Sequence, residues 1–224
     1  EACDGTGKQY RDSVEELIGA PLLPIFKAER VFLHGAGRED IDAIMVGSGR
    51  PFILEIVNPR IRDADPKALE DAINKYNEGR VGVTDIRWSA RSEVETLKSH
   101  KGHKKYRILV DIDGSVPDTA LQSAVQQLSG ALIRQRTPTR VAHRRADKVR
   151  ERGVLDIRYT GKEGKDFVLE VTGEAGLYIK ELISGDQGRT TPSLTEVLNT
   201  PARVVQLDVI HVEGIDQVKS HGTS

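Results

Sequence analysis

Residues 154–171, VLDIRYTGKEGKDFVLEV, carry the clearest fold signal in this sequence. Two apolar, β-branched stretches, 154–159 and 167–171, flank the polar, glycine-containing run GKEGKD. Strand-forming residues on both sides of a short glycine-containing turn are typical of a β-hairpin. The sequence therefore predicts two antiparallel strands here.

The same signals recur along the chain. Residues 41–46 and 51–57 flank Gly47-Ser48-Gly49 and predict a second hairpin. Alternating apolar and polar residues predict further strands at 81–88, 106–112 and 203–212. Helical periodicity and end signals predict five helices, at residues 12–18, 65–78, 115–128, 177–183 and 194–198.

Two of these helices have recognisable starts. Asp65 can cap the helix that Pro66 opens, and Gly79 marks its end. Ser115 and Asp118 resemble a capping box. Because strands come mostly as hairpins with helices between them, the sequence predicts an α+β fold. Its sheet is expected to be mainly antiparallel and backed by helices, rather than doubly wound and parallel.

Composition excludes several classes of protein. The chain has 224 residues, 38% of them hydrophobic and 30% charged, and no stretch approaches the length of a membrane span. The first ten residues are polar, so we expect no signal peptide, and the sequence opens at Glu1, so we expect a fragment. The single Cys3 excludes an intramolecular disulfide and favours the cytoplasm.

Charge is unevenly distributed although the formal net charge is only −1. Residues 132–152 hold eight basic and two acidic side chains, and residues 98–107 hold five basic ones and no acidic one. Such segregation suits a polyanion, since each cation that neutralises a phosphate releases a counterion. Two solvated surfaces without a partner would give the same pattern. Aromatic residues, at 4%, are too few for binding by rows of stacked bases.

The loop GAGRED, residues 35–40, is not a nucleotide-binding motif. A dinucleotide fingerprint needs a third glycine where Asp40 stands, and a phosphate loop needs Gly-Lys-Ser/Thr, which the chain lacks. The two glycines more plausibly let the backbone turn sharply and present a side chain at a strand end.

Three groups of polar residues leave alternatives open. Asp40 and Asp42 could bind a divalent metal as a pair, could act singly in a cleft, or could be turn residues. His100 and His103 could be half of a zinc site, but no further ligand pair is evident. Lys180 either extends to solvent from its apolar stretch or pairs with a carboxylate.

The residues around Asp40 resemble a known motif. The run FLHGAGREDIDA (32–43), continued by Met45, Gly47 and Gly49-Arg50-Pro51-Phe52, is similar to the catalytic motif of the tRNA pseudouridine synthases called the Pus-ten family. The resemblance extends from residue 13 to about residue 207. Three further stretches carry it: Gln135–Pro138 with Arg140, His143–Arg145 and Asp147; Tyr178–Asp186; and Gly188–Thr190 with Pro192-Ser193.

The resemblance implies roles for individual residues. Asp40 would be the nucleophile, Tyr106 would lie against the target uracil, and Lys180 would be the basic partner of the aspartate. Two apolar residues would enclose the base, Ile179 and Leu207. Four arginines complete the expected substrate-binding set: Arg38, Arg144, Arg145 and Arg189.

The resemblance also implies fold and function. We expect the pseudouridine synthase fold, in two pseudo-related halves with a central cleft, catalysing conversion of uridine to pseudouridine at position 54 or 55 of the tRNA TΨC loop. The expected domain spans residues 13–215, with residues 1–12 a linker from an accessory domain that binds zinc and residues 216–224 a flexible tail. We expect a monomer in the cytoplasm, with tRNA as partner and no membrane, metal or cofactor.

Two other functions compete with this one. An RNA-binding module without catalysis would use the basic segments but would give Asp40, Tyr106 and Lys180 no purpose. A metal-dependent phosphoryl-transfer enzyme would use Asp40 and Asp42.

Overall fold

A computed structural model describes residues 12–37 and 43–213, except for the side chain of Arg144. Within these residues the helices are α1 Val14–Gly19, α2 Leu22–Phe26, α3 Pro66–Asn77, α4 Arg91–Ser99, α5 Asp118–Leu128, α6 Ile179–Ser184 and α7 Leu194–Leu198. The strands are β1 Arg30–Gly35, β2 Ile44–Met45, β3 Phe52–Val57, β4 Lys104–Ile112, β5 Leu132–Arg136, β6 Val149–Glu163, β7 Asp166–Gly173, β8 Thr190–Thr191 and β9 Ala202–Val212. Two 3-10 helices span Thr139–Arg144 and Gly185–Gly188. None of the described helices is long and apolar enough to cross a membrane.

The described residues form two compact units. Unit 1 comprises residues 12–37 and 51–99, and unit 2 comprises residues 43–50 and 100–213. Unit 1 holds a two-stranded antiparallel sheet, β1 with β3, and helices α1 to α4. Its core is a cluster of apolar side chains from the helices and the following loop: Ile18, Leu22, Phe26, Leu69, Ile73 and Val83.

Local end signals set two helices of unit 1. Ser13 accepts a hydrogen bond from the backbone N–H of Glu16, whose carboxylate accepts one from the N–H of Ser13, so a capping box starts α1. Asp65 accepts from the N–H of Ala68 and caps α3, which Pro66 opens as predicted.

Unit 2 is built on a seven-stranded sheet in the order β2-β9-β4-β7-β6-β5-β8. Every pairing is antiparallel except β2 with β9. Strands β4, β7 and β6 form the centre, and buried side chains of α5, α6 and α7 pack in the same core. The predicted α+β class with a mainly antiparallel sheet is confirmed.

The central strand β4 shows why its sequence forms a strand. Tyr106, Ile108 and Val110 alternate along it and are buried in the core. Lys105 and Arg107 point to the opposite face, where they form ion pairs with carboxylates of β6, β7 and β9. A period of two in burial therefore matches the pleat of the strand.

The predicted hairpin over residues 41–57 is wrong. Strand β3 pairs with β1, so that Leu54 lies opposite Leu33, whereas β2 pairs in parallel with β9. The turn at Gly47-Ser48-Gly49 therefore separates strands of different sheets. The sequence signals a turn but does not say which strands pair across it.

The predicted strand over residues 81–88 is also wrong, because these residues have no regular structure. The side chain of Asn74 donates to the carbonyl of Val83 and accepts from its N–H, at 2.9 and 2.8 Å. The N–H of Ile86 donates to Glu70 at 3.3 Å. Side chains of α3 thus take backbone hydrogen bonds that a neighbouring strand would need. Helix α4, which follows, was not predicted.

The other elements that the sequence predicts are present, except for one cap, whereas α2, β5 and β8 were not predicted. The β6–β7 hairpin, α6 ending at Gly185, α7 and β9 are all confirmed. Helix α5 is present, but it begins at Asp118 after Pro117, without the side-chain cap expected from Ser115. The Asp118 carboxylate instead accepts a hydrogen bond from the hydroxyl of Tyr159.

Candidate active site

Three residues predicted for the site, far apart in the sequence, lie in one apolar cluster of unit 2. Tyr106 is on β4 and only 4% exposed. Leu207 is on the adjacent strand β9, opposite Ile108, and Ile179 is in the first turn of α6. All three belong to the same group of buried side chains. The fold therefore places Tyr106, Ile179 and Leu207 in the same core, and their roles in a site stay predictions.

The chain that follows the GAGRED motif is attached to the same part of the sheet. Ala43 packs against the cluster that contains Leu207. Ile44 and Met45 pair with Asp208 and Val209 of β9, and the N–H of Val46 donates to the carbonyl of Val209 at 3.0 Å. Asp40, Arg38 and the alternative Asp42 lie outside the described residues.

A buried amide holds the start of α6. The side chain of Gln135, 1% exposed on β5, donates to the carbonyl of Tyr178 and accepts from its N–H, both at 2.9 Å. Tyr178 directly precedes Ile179 and the partly exposed Lys180. Gln135 therefore fixes the backbone from which both of these site residues project.

An ion pair whose carboxylate is buried and whose guanidinium is partly exposed holds α6 from another side. The carboxylate of Glu181, 4% exposed, accepts hydrogen bonds from Nε and Nη2 of Arg140 at 2.6 and 3.2 Å. Burying this carboxylate is tolerated because the two-pronged guanidinium pairs with it. The pair ties α6 to the 3-10 helix in the basic segment. Sequence reasoning assigned no role to Gln135 or Glu181, although both lie in the stretches that carry the resemblance.

Arg136 in the basic segment 132–152, and Arg189 outside it, make contacts that stabilise the fold. Arg136 makes a two-pronged contact with Asp147, and Arg189 donates to Asp147 and, at 2.7 Å, to the carbonyl of Thr137. The guanidinium of Arg136, and to a lesser degree that of Arg189, lowers the pKa of the Asp147 carboxyl. The substrate-binding role of Arg189 stays a prediction, and its described contacts are internal ones.

Other cations of this segment remain exposed. Arg145 donates to the hydroxyl of Tyr178 at 3.2 Å and is otherwise exposed, as are Arg134 and Lys148. Arg150 is partly buried and donates to Thr137 at 3.4 Å. The side chain of Arg144 lies outside the described part. Exposed cations of this kind can contact phosphates without breaking an ion pair of the fold.

The two histidines of the second basic segment lie near the end of β9. His100 Nε2 is 2.5 Å from the carbonyl oxygen of Glu213, and His103 Nδ1 is 2.7 Å from its carboxylate. Across residues 12–37 and 43–213, no group of three histidine, cysteine or acidic side chains is placed to hold a metal ion.

The fold places the chain in a structural class. A solved structure described as the crystal structure of a Cbf5–Nop10–Gar1 complex contains a chain that aligns with it at a TM-score of 0.56. The alignment covers 92% of this chain and 46% of that one, at 20% sequence identity. The chain has the pseudouridine synthase fold, as the sequence predicted.

Sequence comparison then identifies the family. Residues 2–213 match the family model described as "Pus10, C-terminal", so the chain belongs to this family. A tRNA pseudouridine synthase Pus10 of Methanothrix thermoacetophila is 49% identical over 98% of this chain and 48% of its own length. Its counterpart in Archaeoglobus fulgidus is 50% identical over 95% of this chain and 58% of its own length. The chain thus spans about half the length of the curated relatives it matches.

Proposed function

We propose that this chain carries the catalytic domain of a tRNA pseudouridine synthase. The reaction is the isomerisation of uridine to pseudouridine in the TΨC loop of tRNA, at position 54, position 55 or both. The observation that carries the proposal is that Tyr106, Ile179 and Leu207 belong to one buried core, against which Ala43 packs. Relatives named tRNA pseudouridine synthase match almost the whole chain and support it.

Asp40 is the proposed nucleophile. Ala43 lies three residues after it in the sequence, and three residues of chain span at most about 11 Å. A carboxylate reacts only if it is kept ionised and sheltered from water. The ammonium of Lys180 would favour ionisation by its opposite charge, and the cluster containing Ile179 and Leu207 would supply the apolar surroundings.

The chemistry is an isomerisation in which no atom is gained or lost overall. The bond from N1 of uracil to C1′ breaks, the base turns, and C5 bonds to C1′. The proton of C5 then leaves, and N1 gains one. The carboxylate can attack C1′, assist formation of a glycal, or add to C6, and all three routes use the same residue. The phenol of Tyr106 would contact the uracil and accept or relay the C5 proton.

The burial of Tyr106 adds a requirement. Because its ring is 4% exposed, a uracil can lie against it only after the groups that cover the ring move. The target base must also leave its stack, at a cost of a few kcal/mol. Exposed cations such as Arg145 and Lys148 would offset this cost by contacting phosphates beside the target.

The proposal extends to the organisation of the protein. The catalytic domain is taken as residues 13–215 and includes both compact units. Its partner is tRNA, it acts as a monomer in the cytoplasm, and the isomerisation needs no metal or cofactor.

Substitution of the two neighbouring aspartates tests the proposal. Asp40→Asn should reduce tritium release from tRNA labelled at C5 of uridine by more than about a thousandfold, since no other group supplies the nucleophile. Asp42→Asn is the matched control and should keep most of the activity. Both variants should bind tRNA as tightly as the parent chain in a filter-binding assay.

Two further arms separate the alternatives. Normal tritium release by Asp40→Asn would remove Asp40 from the mechanism, and loss of activity in EDTA would favour the metal-dependent alternative. Transcripts with position 54 or 55 replaced by cytidine, mapped by chemical labelling of pseudouridine, would show which uridine reacts.

A further inference from the structure

The one tryptophan of the chain, Trp88, is an exposed aromatic side chain in unit 1. Trp88 is 55% exposed and lies in the irregular stretch that follows α3. The ring meets that of Phe26 in an edge-to-face arrangement, with centroids 6.1 Å apart and an interplanar angle of 77°. Phe26 is buried at the end of α2 and supports the indole from one side.

The backbone around Trp88 is held in place by a small network. Arg87 donates to the carbonyl of Trp88 at 3.0 Å and forms an ion pair with Glu93 at 2.6 Å. The same carboxylate accepts from the N–H of Ala90 at 3.0 Å. An aromatic ring on a fixed backbone loses little conformational entropy when a ligand stacks on it.

Two exposed arginines lie on a loop whose backbone is hydrogen-bonded to Phe26. The carbonyl of Phe26 accepts hydrogen bonds from the N–H groups of Arg60 and Ile61, at 3.0 and 3.1 Å. The side chains of Arg60 and Arg62 are exposed, and neither makes a hydrogen bond or ion pair with residues 12–37 or 43–213. Arg91, three residues after Trp88, is a third exposed arginine.

We propose that Trp88 with Arg60, Arg62 and Arg91 forms a second RNA contact in which the indole stacks on an unpaired base and the guanidinium groups contact its flanking phosphates. An exposed ring beside cations is the chemistry that binds single-stranded nucleic acid. A protein partner would be expected to cover mainly apolar side chains. The segments beside Trp88 and Phe26 instead carry three exposed arginines and one large exposed apolar side chain, Ile61. The inference rests on the proposed function, since it takes the RNA to be the tRNA substrate.

The one tryptophan makes a direct experiment possible. Titration of the 224-residue chain with an unmodified tRNA transcript, or with single-stranded oligouridylate, should quench the indole fluorescence and protect the ring from acrylamide. A fully paired RNA duplex should do neither, because its bases are not free to stack. Equal quenching by the duplex, or unchanged fluorescence at RNA concentrations that saturate binding, would overturn the proposal.

Variants separate stacking from charge. Trp88→Leu should weaken binding of fluorescently labelled oligouridylate roughly tenfold, while Trp88→Phe should retain most of the affinity. Arg60→Gln with Arg62→Gln should lower the slope of log affinity against log salt by about 1.4, and Lys75→Gln, an exposed charge on α3, should not change it. Normal affinity and slope in all these variants would refute the assignment.

Failure of this inference is distinguishable from failure of the proposed function. Quenching by RNA in a chain that releases no tritium would uphold the RNA contact and refute the synthase. Tritium release by the parent chain without quenching would uphold the synthase and refute the RNA contact. Quenching by an unrelated protein and by no RNA would identify the patch as a protein-docking surface and end the RNA proposal.

Discussion

Two side-chain amides, one in each unit, make the same pair of hydrogen bonds to a distant backbone. In unit 2 the amide of Gln135 pairs with Tyr178, 43 residues away. In unit 1 the amide of Asn74 pairs with Val83, 9 residues away. The first fixes the start of α6, which carries Ile179 and Lys180. The second fixes an irregular stretch that leads to Trp88.

The comparison shows that the same pair of amide hydrogen bonds serves two different requirements. Residues proposed for catalysis project from a backbone fixed beside the buried core of a sheet, where water is excluded. The residue proposed for RNA contact projects from a backbone fixed at the surface, where the ring stays accessible. A dry environment strengthens electrostatic interactions at a reacting centre, whereas a binding contact needs access to its ligand.

Loss of the unit 2 amide should have the larger effect. Gln135→Leu leaves the N–H of Tyr178 without its partner, while the carbonyl keeps only the hydrogen bond from the N–H of Leu182, which should lower the free energy of unfolding by about 1–3 kcal/mol. Because α6 then loses its fixed start, kcat for tritium release should fall more than tenfold under conditions where the variant remains folded. Urea unfolding and steady-state kinetics measure the two quantities.

Asn74→Leu is the matched control in unit 1. It should lower stability by a similar or smaller amount, because Asn74 is only partly buried. It should raise KM for tRNA and leave kcat nearly unchanged, since it acts on the Trp88 stretch alone. Equal losses of kcat in both variants would mean that the two amides serve only stability.

The exposed cations of the basic segment should have a smaller effect, on binding alone. Arg145→Gln with Lys148→Gln should lower the slope of log affinity for tRNA against log salt by about 1.5. Arg158→Gln with Lys162→Gln removes the same charge from the β6–β7 hairpin and should leave the slope unchanged. Both pairs are measured by salt titration, and equal slopes would show that the basic segment does not contact phosphates.

The smallest expected effect is a pH dependence of the fluorescence emission of Trp88. The ion pair with Arg87 holds the pKa of Glu93 at about 2, below its ordinary value of 4.5. The contribution of this pair is therefore complete above about pH 4.5 and is lost as the pH falls toward 2. The emission of Trp88 should be constant above pH 4.5 and shift below it.

A Glu93→Gln variant is the control for that titration. Its emission should be shifted already at neutral pH and should not titrate in this range. Far-UV circular dichroism recorded alongside separates a local change from acid unfolding. A parent chain whose emission shifts only together with the circular dichroism would contradict the local assignment.

Local signals in the sequence predict the elements whose hydrogen bonds close within a few residues. The Asp65-Pro66 start of α3 and the β6–β7 hairpin are both of this kind. The family was also evident from the sequence, because the GREDIDA run and its companion stretches are specific. The residue roles implied by that resemblance stay predictions, and Asp40 lies outside the described residues.

Tertiary structure decided the pairings between distant segments. Whether β3 pairs with β1 or with β2 depends on which strands compete for its hydrogen bonds, and no local pattern records that choice. The stretch 81–88 has strand-like alternation, but Asn74 takes the backbone groups of Val83. The position of Tyr106 and Leu207 on adjacent strands likewise follows from the order of strands in the sheet.

By itself, the sequence determined the fold class, the family and the residue types available for chemistry and binding. Only the folded chain decided which backbone groups each side-chain amide binds. It also decided which arginines form ion pairs with carboxylates and which remain exposed. The physical reason is that propensities and caps act within a turn or two. Strand pairing and burial, in contrast, are settled by competition among all segments for the same core and the same hydrogen bonds.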